Sequence, residues 1–407
     1  MASGVRFFPN MRNSFLPFSP PCIGEEEIAE VVDTLRSDWL TTGPKVNRFE
    51  QEFTAYVGAP AGLAVNSCTS ALHLALVALG IGPGDAVITT PMTFCAGVNV
   101  IEHVGARPIL VDVEPDTLNI DPARVEEALS RLAKEGQGAR LKAILPVHLY
   151  GHPCEMDALL RLAEENGLAM VEDVAHALPA AYKGRTLGAP PPAQVRLLSC
   201  FSFYATKNLT TGEGGMLTGP ADLIEEARIL ALHGMSRDAW KRYSGEGSWY
   251  YEVVRAGFKY NMMDLQAALG LHQLKKLAGF HARRREIVRR YNAAFAPLEE
   301  LQVPVERPGV DHAWHLYVLR LHPERCRVSR NQLIEALKAH NIGSSVHFIP
   351  IHLHPYYRNR YGYQPGDFPV AYREYQRIVS LPLFPRMSDR DVDDVIEAVC
   401  QVVRGDR

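Results

Sequence analysis

The chain has 407 residues, of which 47% are apolar and 22% are charged, so it is long enough to bury a large core. Its formal net charge is −3 with both signs interspersed, which argues against a broad basic surface for nucleic acid and against a polybasic membrane anchor. No stretch has the length and composition of a membrane-spanning helix, and residues 1–10 lack a secretory signal pattern.

The cysteines are seven in number and widely scattered. They stand at positions 22, 68, 95, 154, 200, 326 and 400. An odd number without close pairs argues against a disulfide framework and against a zinc site. We therefore expect reduced thiols and a cytoplasmic protein.

Taken in chain order, residues 1–22 predict an extended arm, and an amphipathic helix follows from Gly24 to Ser37. From Leu63 to Leu217 short apolar segments alternate with helical patterns, which is typical of a mostly parallel sheet with helices on both faces. The predicted strands are 63–66, 86–90, 107–112, 141–148, 168–173, 197–203 and 215–218, and the helices are one ending at 79 and those at 96–104, 122–134 and 155–166.

A long helical pattern then runs from 261 to about 296. A change of direction around Gly279 is considered as an alternative to a continuous helix. Strand-like segments at 315–319 and 346–348, around a helix at 329–340, predict a small α+β domain. The arginine-rich run 283–290 is interpreted as a solvated face or an interface. The predicted organisation is an arm (1–22), a large domain (23–280) and a small domain (281–407).

Lys207 lies between the apolar segment 201–204 and the glycine-bearing turn 211–215. Burial lowers the pKa of a lysine because it disfavours the charged form, and a neutral amine is a nucleophile. The setting predicts a lysine that bonds covalently to a carbonyl compound. Taken alone, the residue fits an ordinary surface lysine equally well.

Asp173 ends another apolar segment that reads as a buried strand. A buried carboxylate needs a positive partner. The protonated pyridine nitrogen of pyridoxal 5'-phosphate (PLP) is such a partner, and its protonation makes the ring an electron sink. The alternative for Asp173 alone is a helix cap or an arginine pair. Lys207 and Asp173 together favour a PLP site.

The segment 64–72 changes from an apolar strand to small hydroxyl residues and then to a helical pattern. Free N–H groups and the helix dipole attract an anion at such a helix start. The segment therefore predicts a phosphate-binding turn, with a plain serine or threonine N-cap as the alternative.

Five motifs stand in a fixed order along the chain. They are Asn66-Ser67-Cys68-Thr69-Ser70-Ala71-Leu72-His73, Thr89-Thr90-Pro91-Met92-Thr93-Phe94, Glu172-Asp173-Val174-Ala175-His176, Ser202-Phe203-Tyr204-Ala205-Thr206-Lys207-Asn208 with Gly212-Glu213-Gly214-Gly215, and Tyr260-Asn261-Met262-Met263-Asp264-Leu265-Gln266-Ala267-Ala268. From about 17 to about 385 the chain resembles the DegT/DnrJ/EryC1/StrS sugar aminotransferases. The resemblance implies PLP as cofactor and the aspartate-aminotransferase-like fold (PLP fold type I), an α/β fold with a mostly parallel central sheet and a smaller C-terminal α+β domain.

The resemblance also implies roles around the cofactor ring. Lys207 would hold the cofactor covalently and move the proton during transfer, and Asp173 would pair with the pyridine nitrogen. His176 would reach the phenolic oxygen and Phe94 would stack on the ring. Without the resemblance, His176 is equally well a core histidine and Phe94 a core residue.

For the cofactor phosphate, the resemblance implies Cys68, Thr69 and Ser202 as ligands, together with Asn261 of the partner subunit. If Asn261 acts in this way, the protein is a homodimer with shared active sites.

The segments 345–358 and 366–371 resemble the branch that aminates C4 of nucleotide-linked 4-keto sugars. This implies L-glutamate as amino donor, with 2-oxoglutarate released, and a 4-keto-6-deoxyhexose, dTDP-linked in the first instance, on the way to an amino sugar of a natural product or surface glycan. His347 is the candidate contact for the donor carboxylate or the sugar. The spacing of His347, His352 and His354 does not match a helical metal pair, so no metal site is predicted.

Two other functions stay open at this point. One is amination at C3 of a nucleotide-linked 3-keto-6-deoxysugar, and the other is a non-catalytic PLP-binding regulatory protein with the same fold. The segment 233–251 is rich in aromatic and basic residues, which predicts a mobile flap over the nucleotide.

Overall fold

The structure is a computed structural model that describes residues 12–235 and 250–405. The strands are β1 Ala61–Val65, β2 Ala86–Thr89, β3 Arg107–Leu110, β4 Leu141–Ile144, β5 Ala169–Asp173, β6 Ala181–Tyr182, β7 Arg185–Thr186, β8 Leu197–Ser202, β9 Gly215–Gly219, β10 Leu301–Gln302, β11 Val310–Asp311, β12 Tyr317–Leu321 and β13 Ile378–Leu381. The helices are α1 Glu25–Arg36, α2 Pro44–Val57, α3 Cys68–Ala78, α4 Cys95–His103, α5 Pro122–Lys134, α6 Met156–Glu165, α7 Ala221–Ala231, α8 Asp264–Phe295, α9 Arg330–Ala339, α10 Pro355–Tyr361, α11 Pro369–Tyr375 and α12 Asp389–Arg404.

A seven-stranded sheet in the order β1-β9-β8-β5-β4-β2-β3 carries the site. Strand β9 runs antiparallel to both of its neighbours, and the pairs from β8 to β3 are parallel. The mostly parallel sheet is thus confirmed. Each predicted strand between 63 and 218 begins within two residues of an observed one.

Both faces of this sheet are covered by helices. Val87, Val171 and Leu198 pack with α3, α4 and α7, whereas the residues next to them in the same strands pack with α5 and α6 on the other face. Successive side chains of a strand point to opposite faces. This two-sided burial explains why the strands read as continuous apolar runs rather than as alternating patterns.

Helix α8 joins this sheet to a smaller one. Its first half packs in an aromatic cluster with Phe49 and Phe203, and its second half packs against the antiparallel sheet β10-β12-β13 together with α9 and α12. The helix continues through Gly279, so the change of direction considered there does not interrupt it. Since α8 spans the predicted boundary at 280, the division into an arm, a large and a small domain stays a prediction.

The segment 346–348 is not a strand, contrary to the sequence prediction. The small sheet takes β13 instead, and its one backbone link to this region is an isolated bridge from Ser345 to Ser380. Val346 and Phe348 pack against an apolar cluster that contains Met92, and this packing accounts for their hydrophobicity without strand pairing. The sequence analysis also did not predict helices α2 and α7.

The arginine-rich run is only partly a solvated face. Arg284 is 2% exposed and donates hydrogen bonds to the carbonyl oxygens of Trp314 (3.2 Å), His315 (3.2 Å) and Leu383 (2.7 Å). Burial lowers the pKa of its guanidinium to about 9. Its neighbour Arg283 pairs with Asp389 at 2.8 Å, as expected for a surface residue.

Among the helices within residues 12–235 and 250–405, none combines the length with the apolar composition that crossing a bilayer requires.

Gly270 and Gly279 of α8 provide a test of this packing. A Cβ atom at Gly270 would lie 2.7 Å from Cζ of the buried Phe49 ring, whereas at Gly279 no described atom lies within 4 Å. We expect Gly270→Ala to lower the free energy of unfolding by about 1–3 kcal/mol, as overpacking does. Gly279→Ala should raise it by about 0.4–1 kcal/mol. Urea unfolding of both variants measures the difference, and equal shifts would contradict the close contact.

Candidate active site

Lys207 lies in the connection between the antiparallel strands β8 and β9. Backbone hydrogen bonds hold this connection in a compact turn, from the N–H of Thr211 to the oxygen of Phe203 (2.9 Å) and from the N–H of Phe203 to the oxygen of Gly214 (2.9 Å). A Cβ atom at Gly214 would lie 2.2 Å from Oγ1 of Thr211, so the turn needs glycine there. The glycine-bearing segment behind the lysine is therefore a structural requirement of the turn.

The aromatic residues before Lys207 anchor the turn. Phe201 and Phe203 pack edge-on against Phe53, with ring centroids 5.0 and 5.4 Å away. Since side chains alternate along a strand, Ser202 between them points the other way, and it lines a cavity at the carboxyl edge of the parallel strands.

This cavity has a volume of about 520 Å³ and brings together eight of the nine predicted site residues. They are Cys68, Thr69, Phe94, Asp173, His176, Ser202, Lys207 and His347.

Asp173 is buried and Lys207 is half-buried in the cavity wall, and Lys207 is the only lysine or arginine among the described residues that line it. Burial lowers the pKa of Lys207 to about 8, although the Asp173 carboxylate acts in the opposite direction. Burial raises the pKa of Asp173, against a 3.0 Å hydrogen bond from the N–H of Ala175 and the charge of Lys207. A lysine with this pKa has a substantial neutral fraction near neutral pH, far more than an ordinary lysine, which suits a nucleophile and a base.

The N-terminus of α3 opens onto the cavity through Ser67, Cys68 and Thr69. Ser67 caps the helix, since its hydroxyl accepts the N–H of Ser70 at 3.1 Å. The helix itself has no partner for the N–H groups of Cys68 and Thr69. A Cβ atom at Gly215 would lie 2.6 Å from the nitrogen of Cys68, so glycine allows β9 to approach this end closely. The arrangement can hold a phosphate group.

His176 is neutral, because burial and the nearby charge of Lys207 lower its pKa well below the usual value. Its Nδ1 accepts the backbone N–H of Tyr150 at 3.3 Å. A neutral imidazole whose Nδ1 is an acceptor carries its proton on Nε2. His176 can therefore donate a hydrogen bond to a phenolic oxygen.

Phe94 precedes α4 and is 59% exposed, with its ring centroid 6.0 Å from that of Phe348. An exposed ring in a cavity wall is a suitable surface for a flat aromatic ligand.

His347 stands with Nδ1 2.8 Å from the hydroxyl of Ser380. Burial, with the charge of Lys207, lowers its pKa to about 4, so it is neutral at physiological pH. Among the described residues no group of three histidine, cysteine or acidic side chains is arranged to hold a metal ion.

Asn261 is the one predicted site residue that the structure does not bring into this cavity. Its Nδ2 donates to Oγ1 of Thr42 at 2.7 Å, and its backbone bridges to Val65 of β1.

The sequence analysis missed several residues of the wall. They include Phe18, Ser19, Thr206, Glu213, His315 and Phe348. His315 sits in a segment predicted only as a strand, and an isolated histidine gives no spacing signal. Most of the predicted flap, 236–249, lies outside the described residues.

The comparisons with known proteins point to one family. Residues 21–400 match the model of the DegT/DnrJ/EryC1/StrS aminotransferase family. The chain is 54% identical over 396 residues to the spore coat polysaccharide biosynthesis protein SpsC of Bacillus subtilis, covering 97% of this chain and 98% of that protein.

Solved structures of two proteins extend the likeness. The PLP-form of the putative sugar aminotransferase Spr1654 from Streptococcus pneumoniae has a TM-score of 0.86 at 36% identity, covering 96% of this chain and 99% of that one. A PMP-form of the same protein matches with the same TM-score at 37% identity, covering 96% and 98%. PseC of Helicobacter pylori, an aminotransferase involved in the biosynthesis of pseudoaminic acid, has a TM-score of 0.85 at 27% identity, covering 97% and 100%.

The residues of the cavity fit PLP. The Asp173 carboxylate can pair with the pyridine nitrogen, and the Lys207 amine of lowered pKa can bond to the aldehyde. The N-terminus of α3 can bind the phosphate. Bound PLP supplies an electron sink next to the substrate carbon. The chain thus belongs to the DegT/DnrJ/EryC1/StrS aminotransferase family and is a PLP-dependent sugar aminotransferase.

Proposed function

We propose that the enzyme transfers the amino group of L-glutamate to C4 of a nucleoside-diphosphate 4-keto-6-deoxyhexose, with the dTDP-linked sugar as the first candidate. The observation that supports this reaction is Lys207, whose pKa is lowered to about 8, in one cavity with Asp173. The choice of C4 is supported by the resemblance of 345–358 and 366–371 to the C4 branch, and His347 of the first segment lines the cavity.

In this reaction Lys207 moves the proton. Its neutral Nζ takes the proton from the α-carbon of the amino donor, and in the second half of the reaction it gives a proton to C4 of the sugar. Asp173 holds the positive charge of the pyridine nitrogen, and His176 donates from Nε2 to the phenolic oxygen.

The relatives favour a surface polysaccharide over a natural product as the destination of the amino sugar. SpsC is named for spore coat polysaccharide biosynthesis and matches over nearly the whole chain. The seven cysteines are all free, which supports the proposal of a reducing, cytoplasmic location.

We further propose a homodimer in which Asn261 of the partner subunit contacts the cofactor phosphate. Lys207 is the single basic side chain in the described wall, and the nearby His176, His315 and His347 have lowered pKa values. A donor carboxylate and a sugar diphosphate need further cationic or amide partners. A second subunit would supply them.

Exposed apolar side chains support a subunit interface beside the cavity. Phe94, Tyr204, Ile349 and Met263 are 59, 47, 44 and 42% exposed. Such residues are typical of interfaces. Asn261 lies outside its own cavity, as a contribution to the partner's site requires.

The pH dependence of PLP uptake tests Lys207. Because the neutral amine is the nucleophile, the rate at which cofactor-free protein takes up PLP should rise with pH around a midpoint of about 8. Asp173→Asn removes a negative charge that raises the pKa of Lys207, so the midpoint should move to lower pH. Stopped-flow absorbance measures both midpoints.

In the same experiment Lys207→Ala is the control, since it should show no covalent absorbance band at any pH. A midpoint that stays fixed or rises in Asp173→Asn would show that the two groups do not interact as described.

Mixing two inactive variants tests the shared site. In a dimer of Lys207→Ala with Asn261→Ala, one site combines the intact Lys207 with the partner subunit's intact Asn261. If Asn261 acts across the interface, unfolding and refolding an equal mixture should restore roughly a quarter of wild-type activity, since half of the dimers are mixed and each has one intact site.

No restoration in this mixture would place Asn261 in the site of its own subunit. Each variant refolded alone provides the baseline.

Product analysis tests the substrate. Incubation with L-glutamate and dTDP-linked 4-keto-6-deoxyglucose should give a sugar aminated at C4 and one equivalent of 2-oxoglutarate, both identified by NMR. UDP-linked and 3-keto sugars are run in parallel, with Lys207→Ala as the blank. Amination of the 3-keto sugar alone would favour the C3 alternative and refute the C4 assignment.

A further inference from the structure

Tyr150 contacts all three histidines of the cavity wall through three different groups, although it does not line the cavity itself. Its backbone N–H donates to Nδ1 of His176 at 3.3 Å. Its carbonyl oxygen accepts the backbone N–H of His315 at 3.1 Å. Its hydroxyl donates to the carbonyl oxygen of His347.

The backbone at this point is unusual. Tyr150 has a φ of 61°, in the left-handed region that side chains other than glycine disfavour. Gly151 follows with a φ of 106°, and a Cβ atom there would lie 3.0 Å from both the oxygen of His176 and the nitrogen of Trp314. A residue kept in such a conformation indicates a local role, and here the turn brings the backbone N–H and the carbonyl group of Tyr150 against the segments of two histidines.

The contact with Tyr150 fixes the tautomer of His176, and a contact with Asn208 fixes that of His315. Asn208 uses its Nδ2 to donate to the oxygens of Leu178 and Ala313, both at 2.9 Å, so its Oδ1 is an acceptor. His315 Nδ1, 3.2 Å from that Oδ1, must then carry a proton.

Burial lowers the pKa of His315 well below its usual value, with a further contribution from the charge of Lys207. The ring is therefore neutral, and its Nε2 is a bare acceptor. The ring of His176 lies 4.5 Å away, centroid to centroid, and has the opposite tautomer, with its proton on Nε2.

We propose that Tyr150 is a positioning residue for the three histidines of the wall. Its N–H fixes the tautomer in which His176 presents a donor, its hydroxyl holds the backbone of His347, and its carbonyl oxygen holds the backbone of His315, whose ring Asn208 fixes as an acceptor. The donor suits the phenolic oxygen of the cofactor. The acceptor suits the ammonium of Lys207 while that group holds the proton taken from the substrate. This inference rests on the family's transamination and does not depend on the choice of C4.

Nitrogen NMR of cofactor-free protein labelled with ¹⁵N-histidine tests the tautomers without any substrate. At pH 7 we expect His176 with its proton on Nε2 and His315 with its proton on Nδ1, with His176→Gln and His315→Gln used to assign the signals. The reverse tautomer at His176 would overturn the proposal, whether or not the enzyme uses the substrates proposed above.

Tyr150→Phe tests the hydroxyl, with Tyr291→Phe as matched control. Tyr291 is likewise buried and donates its hydroxyl to a backbone oxygen, that of Pro382, at 2.9 Å, but it lies in the core beside the small sheet. Both variants should lose a similar few degrees of melting temperature, about the effect of one buried hydrogen bond.

Only Tyr150→Phe should shift the ring signals of His347 and raise the KM for the substrate that His347 contacts, by about fivefold, while kcat changes less. If the two variants are indistinguishable in both the His347 signals and KM, Tyr150 has only a structural role and the proposal fails.

Discussion

The site depends on two oppositely charged groups, Lys207 and Asp173, whose charged forms burial disfavours and each other's presence favours. Burial lowers the pKa of Lys207 and raises that of Asp173. The attraction between the two charges raises the pKa of Lys207 and lowers that of Asp173. The sheet makes this possible, because Asp173 ends β5 and Lys207 follows the end of β8, the strand hydrogen-bonded to it. The rest of the wall is arranged around this pair, and its histidines are kept neutral partly by the lysine charge.

Most of the fold could be predicted from the sequence because the strands are apolar on both faces and are separated by regular helices. Two of the wrong interpretations concern residues whose surroundings depend on distant partners. The apolar residues Val346 and Phe348 suggested a strand, but their neighbours are side chains of a cluster rather than another strand. Arg284 suggested a solvated face, and carbonyl oxygens from two other segments bury it.

The residues of the site also differ in whether local sequence or distant contacts determine their place. Lys207, Asp173 and the turn before α3 could be found because each follows an apolar strand and has a distinctive local sequence. His315, Phe18 and Tyr150 could not, since they reach or organise the cavity only through tertiary contacts between distant segments. Tyr150 is the clearest example, because nothing in its local sequence indicates a left-handed backbone or contact with three histidines.

Helix α8 has 32 residues and is about 48 Å long, and it packs against the large sheet's aromatic cluster at one end and against the small sheet at the other. Its first half packs against residues of the turn that carries Lys207. In its second half, Arg284 donates a hydrogen bond to the carbonyl oxygen of His315, which lines the cavity. A movement that separated the two sheets would therefore have to bend this helix or break three hydrogen bonds from one buried guanidinium at once.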